Sequence, residues 1–497
     1  MYNFLPDTTQ IKPFLYCAVM LFNSLEFAIF LPIVFFLYWF AGKGNTRLQN
    51  IIILFASLFF YGCWDYRFLF LLSFSILLDF FSGIKIAEAA TPRSKKLWLI
   101  ASIGINLGFL LFFKYYNFFV QSFADLLLNF GFQANIWTLK IILPVGISFY
   151  TFHGLSYVID IYKGRSEPTR NLIDYSVFVS FFPLLVAGPI ERASHLLPQV
   201  QQPRTFTFEK ASDGLRQILW GLFKKIVIAD VSAMYANEIF SSSAHLHAST
   251  RVVGAILFAF QIYGDFSGYS DIALGTARLL GFELLKNFNY PYFSRDIAEF
   301  WRRWHISLSS WFKDYVYIPL GGSRGGKLQA VRNTFIIFLL SGFWHGANWT
   351  FIFWGGLNAV YFLPLLLFNR NRSNIEIVAK GKTLPSFREL MAMLITFAQV
   401  TFAWIFFRAE SLRYAFNYIK GIFSKTLLST PEVFPKTQLV IIALFLVIEW
   451  MGREQPYAIA GMTVQIPRPV RWSFYFMIIF AIVIFKGSPQ QFIYFQF

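Results

Sequence analysis

Between Asn333 and Asn369 the chain carries no Asp, Glu, Lys or Arg. As one α-helix rising 1.5 Å per residue, this stretch would be roughly 55 Å long, nearly twice the ~30 Å hydrocarbon core of a bilayer. It must therefore be broken or folded back, and the break is expected around Gly346 to Trp349. Irregular backbone at membrane depth is tolerated only where it is buried in protein or lines a cavity, so the break puts His345 at a helix end inside the molecule.

Apolar runs of similar character recur from end to end. Spans are expected near 27–42, 48–64, 66–84, 97–117, 140–160, 173–190, 214–232, 252–272, 334–346, 348–368, 388–407, 437–451 and 471–487. Only 14% of residues are charged and 56% are hydrophobic, against about 25% charged in an ordinary soluble domain. An all-α, polytopic transmembrane protein follows, with the lipid bilayer as its surroundings. Met20 directly precedes the first run, and residues 1–19, with Pro6, Asp7 and Lys12, lack the basic start and cleavage site of a signal peptide. They are read as an N-terminal extension to a single membrane domain over 20–497.

The net charge of +17 does not point to nucleic acid. Lys and Arg fall in short clusters between apolar runs, as cytoplasmic loops do: Lys43 and Arg47 after the first span, Lys85, Arg93, Lys95 and Lys96 after the third, while the second and fourth are followed by fewer charges, Arg67 and Lys114. The positive-inside rule then puts the start of the membrane domain on the extracytoplasmic side. Cys17 and Cys63 have no metal-like spacing.

Some segments do not read as plain spans. Trp301, Trp304, Leu308 and Phe312 recur at helical spacing over 297–317 while Arg302, Arg303, His305, Ser309 and Lys313 take the other faces. This predicts an amphipathic helix in the interface or dipping inward. A shorter one is expected from about Leu412 to Phe423. The basic, glycine-rich loop 320–332 suits a cytoplasmic turn able to meet phosphates, although it lacks the order of a Walker A motif. Pro144 to His153 and Leu185 to Arg192 are interrupted by Gly and Pro, as broken or re-entrant helices are.

Of the six histidines, His345 stands in the uncharged stretch, where an ionisable side chain by default marks function. On a continuous helix Ser341 and Asn348 would share its face, and Gly342 and Gly346 would leave room for a substrate chain. The structural alternative is a buried, hydrogen-bonded histidine. His305 is the second candidate: Arg302 and Arg303 would hold an anionic donor or the helix itself, with Trp304 beside them, and His305 would face the reaction cavity. An interfacial anchor is the competing reading there. Asp265 and Tyr269, in Tyr263 to Asp271, could line the same cavity or glue helices, with Gly264 and Gly268 spaced for close packing. For His153 and His195 structural roles are expected. No serine elbow, zinc signature or cysteine–histidine pairing is present, so the chemistry on offer is general-base activation of a hydroxyl by a positioned imidazole.

Taken together, Tyr263 to Asp271, Asn287 to Pro291, Phe300 to Ser309, Trp311 to Gly322 and Phe343 to Gly346 resemble the membrane-bound O-acyltransferase family, within it most closely the alginate O-acetylating branch. The resemblance extends from about Met20 to about residue 450. It implies a helix bundle around a central tunnel, His345 at the family's near-invariant histidine and His305 at its second important position. It also implies acetyl-CoA or another thioester as co-substrate rather than a bound cofactor, and a bacterial inner-membrane location. A periplasmic acetyltransferase or polysaccharide-secretion subunits would be partners, with an extracytoplasmic polysaccharide as acceptor. D-alanyl transfer to teichoic acid and a transporter are the competing readings, and which histidine is the base stays open.

Overall fold

The computed structural model describes residues 20–133, 137–186, 188–462, 466–487 and 490–493. The expectation for residues 1–19 lies outside them. The protein is all-α, with no strand among the described residues. In chain order the helices are α1 (Leu25–Phe36), α2 (Thr46–Asp65), α3 (Phe68–Glu88), α4 (Pro92–Leu110), α5 (Tyr116–Asn129), α6 (Ile147–Tyr162), α7 (Leu172–Ser180), α8 (Phe182–Leu185), α9 (Ala193–Gln201) and α10 (Phe208–Phe223). They continue with α11 (Val231–Ser241), α12 (Ala248–Leu279), α13 (Ile297–Arg303), α14 (Ile306–Phe312), α15 (Lys327–His345), α16 (Trp349–Leu367), α17 (Phe387–Arg408), α18 (Leu412–Ile422), α19 (Lys436–Met451) and α20 (Arg468–Ile484). Six helical segments among the described residues are long and apolar enough to cross a membrane.

Local sequence explains most of the boundaries. Asn45 starts α2 by accepting from the Leu48 amide at 2.9 Å, and Thr91 followed by Pro92 starts α4. Ser386 and Glu389 form a reciprocal capping box at α17. π turns at Leu111–Tyr115 and Lys224–Asp230 join α4 to α5 and α10 to α11, so each pair runs on as one longer helix.

The buried axis of the bundle is α12, which carries the segment Tyr263 to Asp271. Gly268 allows α10 to lie directly against it: a Cβ there would stand 2.8 Å from the Gly221 carbonyl oxygen. One end of the bundle gathers the basic loops. Arg204 reaches the Thr46 carbonyl, Gln199 the Glu283 carbonyl, Lys327 the Leu367 carbonyl, and Arg302 the carbonyls of Asn371 and Asn374. At the other end Asn348 donates to Glu410, Arg408 to Asn237 and Arg251 to Asn417.

Several expected spans differ. The run near 97–117 belongs to a helical segment extending from Pro92 to Asn129. The one near 140–160 begins only at Ile147, because Gly146 adopts φ +72°. The run near 173–190 does not cross. Asn50 Nδ2 donates both to Asp174 at the start of α7, at 2.8 Å, and to the Val200 carbonyl in α9, at 3.0 Å, so the chain enters and returns to the same end. Phe181, non-helical at φ −51° and ψ 112°, with Pro183 and Pro189 supplies the reversal. The amphipathic piece near Leu412 is α18, as expected.

The segment 297–317 is not one helix. It is split into α13 and α14 at Trp304 and His305, then widened into a π turn at Lys313–Tyr317. Its centre dips into the core rather than lying in the interface. The Trp304 ring is surrounded by those of Phe288, Phe300 and Trp404, at 5.0, 5.5 and 5.0 Å. Packing of so large a ring outweighs continuity of one short helix.

Candidate active site

His305 sits on the broken turn between α13 and α14, with φ +43° and ψ +54°. That left-handed backbone is rare for a residue with a Cβ and persists only where neighbours hold it. Here the hold comes from both sides. The Asn289 amide donates to the Arg303 carbonyl at 3.0 Å and the Ile306 amide to the Asn287 carbonyl at 2.9 Å. Ser307 donates to Asn287 Oδ1 at 2.6 Å and accepts from the Ile190 amide at 2.9 Å. Three segments distant in sequence thus meet at the residues next to His305, whose ring packs edge-on against Phe266 at 4.6 Å.

His345 is the last residue of α15. Gly346 is extended, and Asn348 opens α16 by accepting from the Thr350 amide at 3.0 Å. The break therefore falls where the length of the uncharged stretch requires it. The two helices then run back along each other through Gly342: a Cβ there would stand 2.2 Å from the Phe351 carbonyl oxygen. A Cβ on Gly346 would likewise meet the Phe351 ring at 2.2 Å. The space expected beside these glycines for a substrate is filled by α16.

The two imidazoles come together. Their ring centroids are 6.3 Å apart, inclined at 58°. Trp344, Trp354 and Phe407 surround His345 at 5.0, 5.2 and 5.3 Å, and both histidines are buried. The α15 C-terminal carbonyls are held by the adjacent helical segment: Tyr115 Oη donates to Phe343 at 2.8 Å, and Lys114 Nζ to Trp344 at 2.7 Å.

A cavity of about 550 Å³ leads to His305 from the basic end of the bundle. That volume suits a single organic ligand. Its inner part is lined by Trp301, Leu308, Phe312, Ile337, Phe338 and Ser341, and its mouth by Lys313, Lys327 and Arg372. It would take an elongated group carrying negative charge at its outer end. His345 does not line it but lies behind His305.

The other predicted residues fall in different places. Ser341 lines the cavity with His305. Asn348 does not share a helical face with His345, because α15 ends between them. It caps α16 instead and donates to the Glu410 carbonyl at 3.0 Å. Trp304 is buried in the aromatic core. Arg302 binds the Asn371 and Asn374 carbonyls at 2.7 and 2.8 Å. Arg303 is buried and paired with Glu299 at 2.8 Å, which Arg295 also engages at 3.0 Å. Asp265 pairs with Lys225 at 2.8 Å and accepts from the Ile493 amide at 2.7 Å. Tyr269 packs on Phe492 at 4.4 Å. None of Arg302, Arg303, Asp265 and Tyr269 lines the cavity, and the first three make structural bonds.

His153 accepts from the Glu191 amide at 3.1 Å, and His195 lies 2.8 Å from the Glu191 carboxylate. Outside the predicted spans, that hydrogen bond holds the His195 imidazolium above its ordinary range. Residues passed over in the sequence were Phe266, Trp354 and Phe407, which wall the histidines, and the pair Lys114 and Tyr115. Aromatic content gave no signal for the walls, because aromatics make up 21% of the whole chain. Lys114 carried one, a lysine inside an apolar run, but it read as a loop charge.

Comparison with known proteins adds an independent finding. Residues 168–407 match the model of the membrane-bound O-acyltransferase family. The chain is 40% identical over 407 residues, covering 82% of it and 75% of the relative, to the probable alginate O-acetylase AlgI of Pseudomonas aeruginosa. It is 37% identical over 433 residues to the peptidoglycan O-acetyltransferase of Helicobacter pylori, covering 81% of the chain and 80% of that protein. A teichoic acid D-alanyltransferase of Bacillus subtilis is 30% identical over 284 residues, covering 54% of the chain and 69% of the relative.

Proposed function

Because the chain belongs to the membrane-bound O-acyltransferase family, we propose that it moves acetyl from a cytoplasmic thioester, acetyl-CoA, towards hydroxyls of an extracytoplasmic polysaccharide across a bacterial inner membrane. The observation that carries this reading is the pairing of His305 and His345 behind a cavity with a basic mouth. Lys313, Lys327 and Arg372 offer charge to the donor's phosphates, and the apolar inner wall takes its pantetheine arm, with the thioester at His305.

Imidazole then serves as general base. As the acceptor oxygen attacks the thioester carbonyl, its proton passes to a ring nitrogen; collapse of the tetrahedral intermediate breaks the C–S bond, and the departing thiolate recovers that proton. Ester and free thiol are the products, with no net proton change. His345 is the base in this reading, and His305 orients the thioester. The acetyl group is handed on to a periplasmic acetyltransferase that modifies the polymer, and the names of the alginate and peptidoglycan relatives favour a polysaccharide as that polymer.

The test is thiol release from labelled acetyl-CoA by the purified protein with its periplasmic partner and polymer present. Release that His345→Ala abolishes supports the reading. Release that persists undiminished in His345→Ala overturns the assigned base, and flux without thioester consumption would indicate a transporter. Release only from a D-alanyl thioester would indicate the teichoic acid reaction.

A further inference from the structure

The last carbonyls of a helix have no intrahelical partner and must be satisfied from elsewhere. In α15 these belong to the turn that carries His345, and a different part of the chain takes them up. Tyr115 Oη donates to the Phe343 carbonyl at 2.8 Å. Lys114 Nζ donates to the Trp344 carbonyl at 2.7 Å and the His345 carbonyl at 3.2 Å. Three consecutive carbonyls are thus held by two consecutive residues.

Neighbouring residues of a regular α-helix point about 100° apart and do not share a target. Lys114 and Tyr115 do so because they close the π turn Leu111–Tyr115, the wider coil that joins α4 to α5. The Tyr115 ring also stacks on Phe343 at 4.1 Å and 17°. Lys114 is half-buried, its ammonium lies 5.8 Å from the centre of the Trp344 ring, and among the described residues no carboxylate lies within ion-pair distance of it. A cation at this position faces the negative end of the α15 dipole, and its hydrogen bonds to the carbonyls are charge-assisted.

We propose that Lys114 and Tyr115 are positioning residues that clamp the last turn of α15 and so set the His345 imidazole at its distance from His305. The inference rests on the acyl-transfer reading with His345 as base. His345 is the terminal residue of its helix, with an extended Gly346 following, so nothing further along α15 fixes its direction. The clamp supplies that restraint from a helix 230 residues away in sequence. A small displacement of a catalytic group is enough to cost about 100-fold in rate.

The experiment uses the full-length protein with its partner and polymer, and compares wild type, His345→Ala, Lys114→Met, Lys114→Arg and Tyr115→Phe in thiol release from acetyl-CoA. Lys114→Met removes the charged donor and keeps the stem; Tyr115→Phe keeps the ring stack and removes only the hydrogen bond. Both are expected to lower kcat at an unchanged KM for acetyl-CoA, because neither residue lines the donor cavity. The expected losses are tenfold or more for Lys114→Met and threefold or more for Tyr115→Phe. Lys114→Arg should recover at least part of the loss, which a general loosening of the fold would not explain. If Lys114→Met does not fold, Tyr115→Phe and Lys114→Arg carry the test. With His345→Ala inactive, kcat within twofold of wild type in the clamp variants, or a loss confined to KM, overturns the clamp and leaves the acyl-transfer reading standing. Full activity in His345→Ala overturns the assigned base, and the clamp with it.

Discussion

The imidazole rings of His305 and His345, forty positions apart, meet with centroids 6.3 Å apart at the turn between α13 and α14 and the end of α15. Both rings come from helix termini rather than helix interiors, and each terminus is held by segments remote in sequence. In the acyl-transfer reading the acceptor oxygen must come within hydrogen-bond reach of the His345 ring, roughly 2.6–3.2 Å from a nitrogen.

Removal of His345 should therefore cost the base term in catalysis. His345→Ala is expected to reduce thiol release by about 10²–10⁴-fold. The measurement is release from labelled acetyl-CoA at saturating donor, normalised to folded protein by size-exclusion chromatography in detergent.

The turn at His305 should be sensitive to backbone as well as to chemistry. Its left-handed conformation suits Asn far better than a β-branched residue. His305→Asn and His305→Val should both be inactive, with the Val protein less stable by about 1–2 kcal/mol. Thermal unfolding in detergent distinguishes them, and equal stabilities would argue against a retained left-handed turn.

Arg303 and Arg302 are adjacent yet should behave differently. Arg303 is buried against Glu299, which keeps Arg295 as a second cation, so Arg303→Ala should destabilise by about 2–3 kcal/mol. Arg302 binds two loop carbonyls at the basic end, and Arg302→Ala should cost about 1–2 kcal/mol. Denaturant titration of the two purified proteins checks the order.

The contact between His195 and Glu191 should appear in the pH dependence of stability. The hydrogen bond to Glu191 raises the His195 pKa on folding from an ordinary value of 6.5. The stabilisation is fully present below the unfolded value and is lost as pH rises through the higher folded value. His195→Gln should thus destabilise more at pH 6 than at pH 8. A melting-temperature difference from wild type that does not vary between these pH values would contradict the arrangement.

Much of this architecture is legible in the sequence. The uncharged length from Asn333 to Asn369 demanded a break, and hydropathy and the bilayer thickness located it beside His345. Caps such as Asn45 and Ser386 are read from a few neighbouring residues. Those inferences depend on interactions within a few turns of one helix, or on a bulk property of some twenty residues, and a sequence carries both.

Other features were decided only by tertiary packing. Hydropathy measures transfer into lipid and cannot tell a crossing segment from one that turns back inside protein, so the return of α7 to α9 was invisible until Asn50 was seen to hold both ends. Helical periodicity over 297–317 was real, yet the burial of Trp304 among three rings split the helix and turned His305 inward. The glycines beside His345 announced close approach without saying of what, and the occupant is Phe351. Lys114 read as a loop charge, because its partners are carbonyls 230 and 231 residues away, brought within reach only when α15 packs against the π turn. Composition and periodicity specify an all-helical membrane protein with two candidate histidines; their meeting, and what holds them there, comes from long-range packing and hydrogen bonds, which no local pattern encodes.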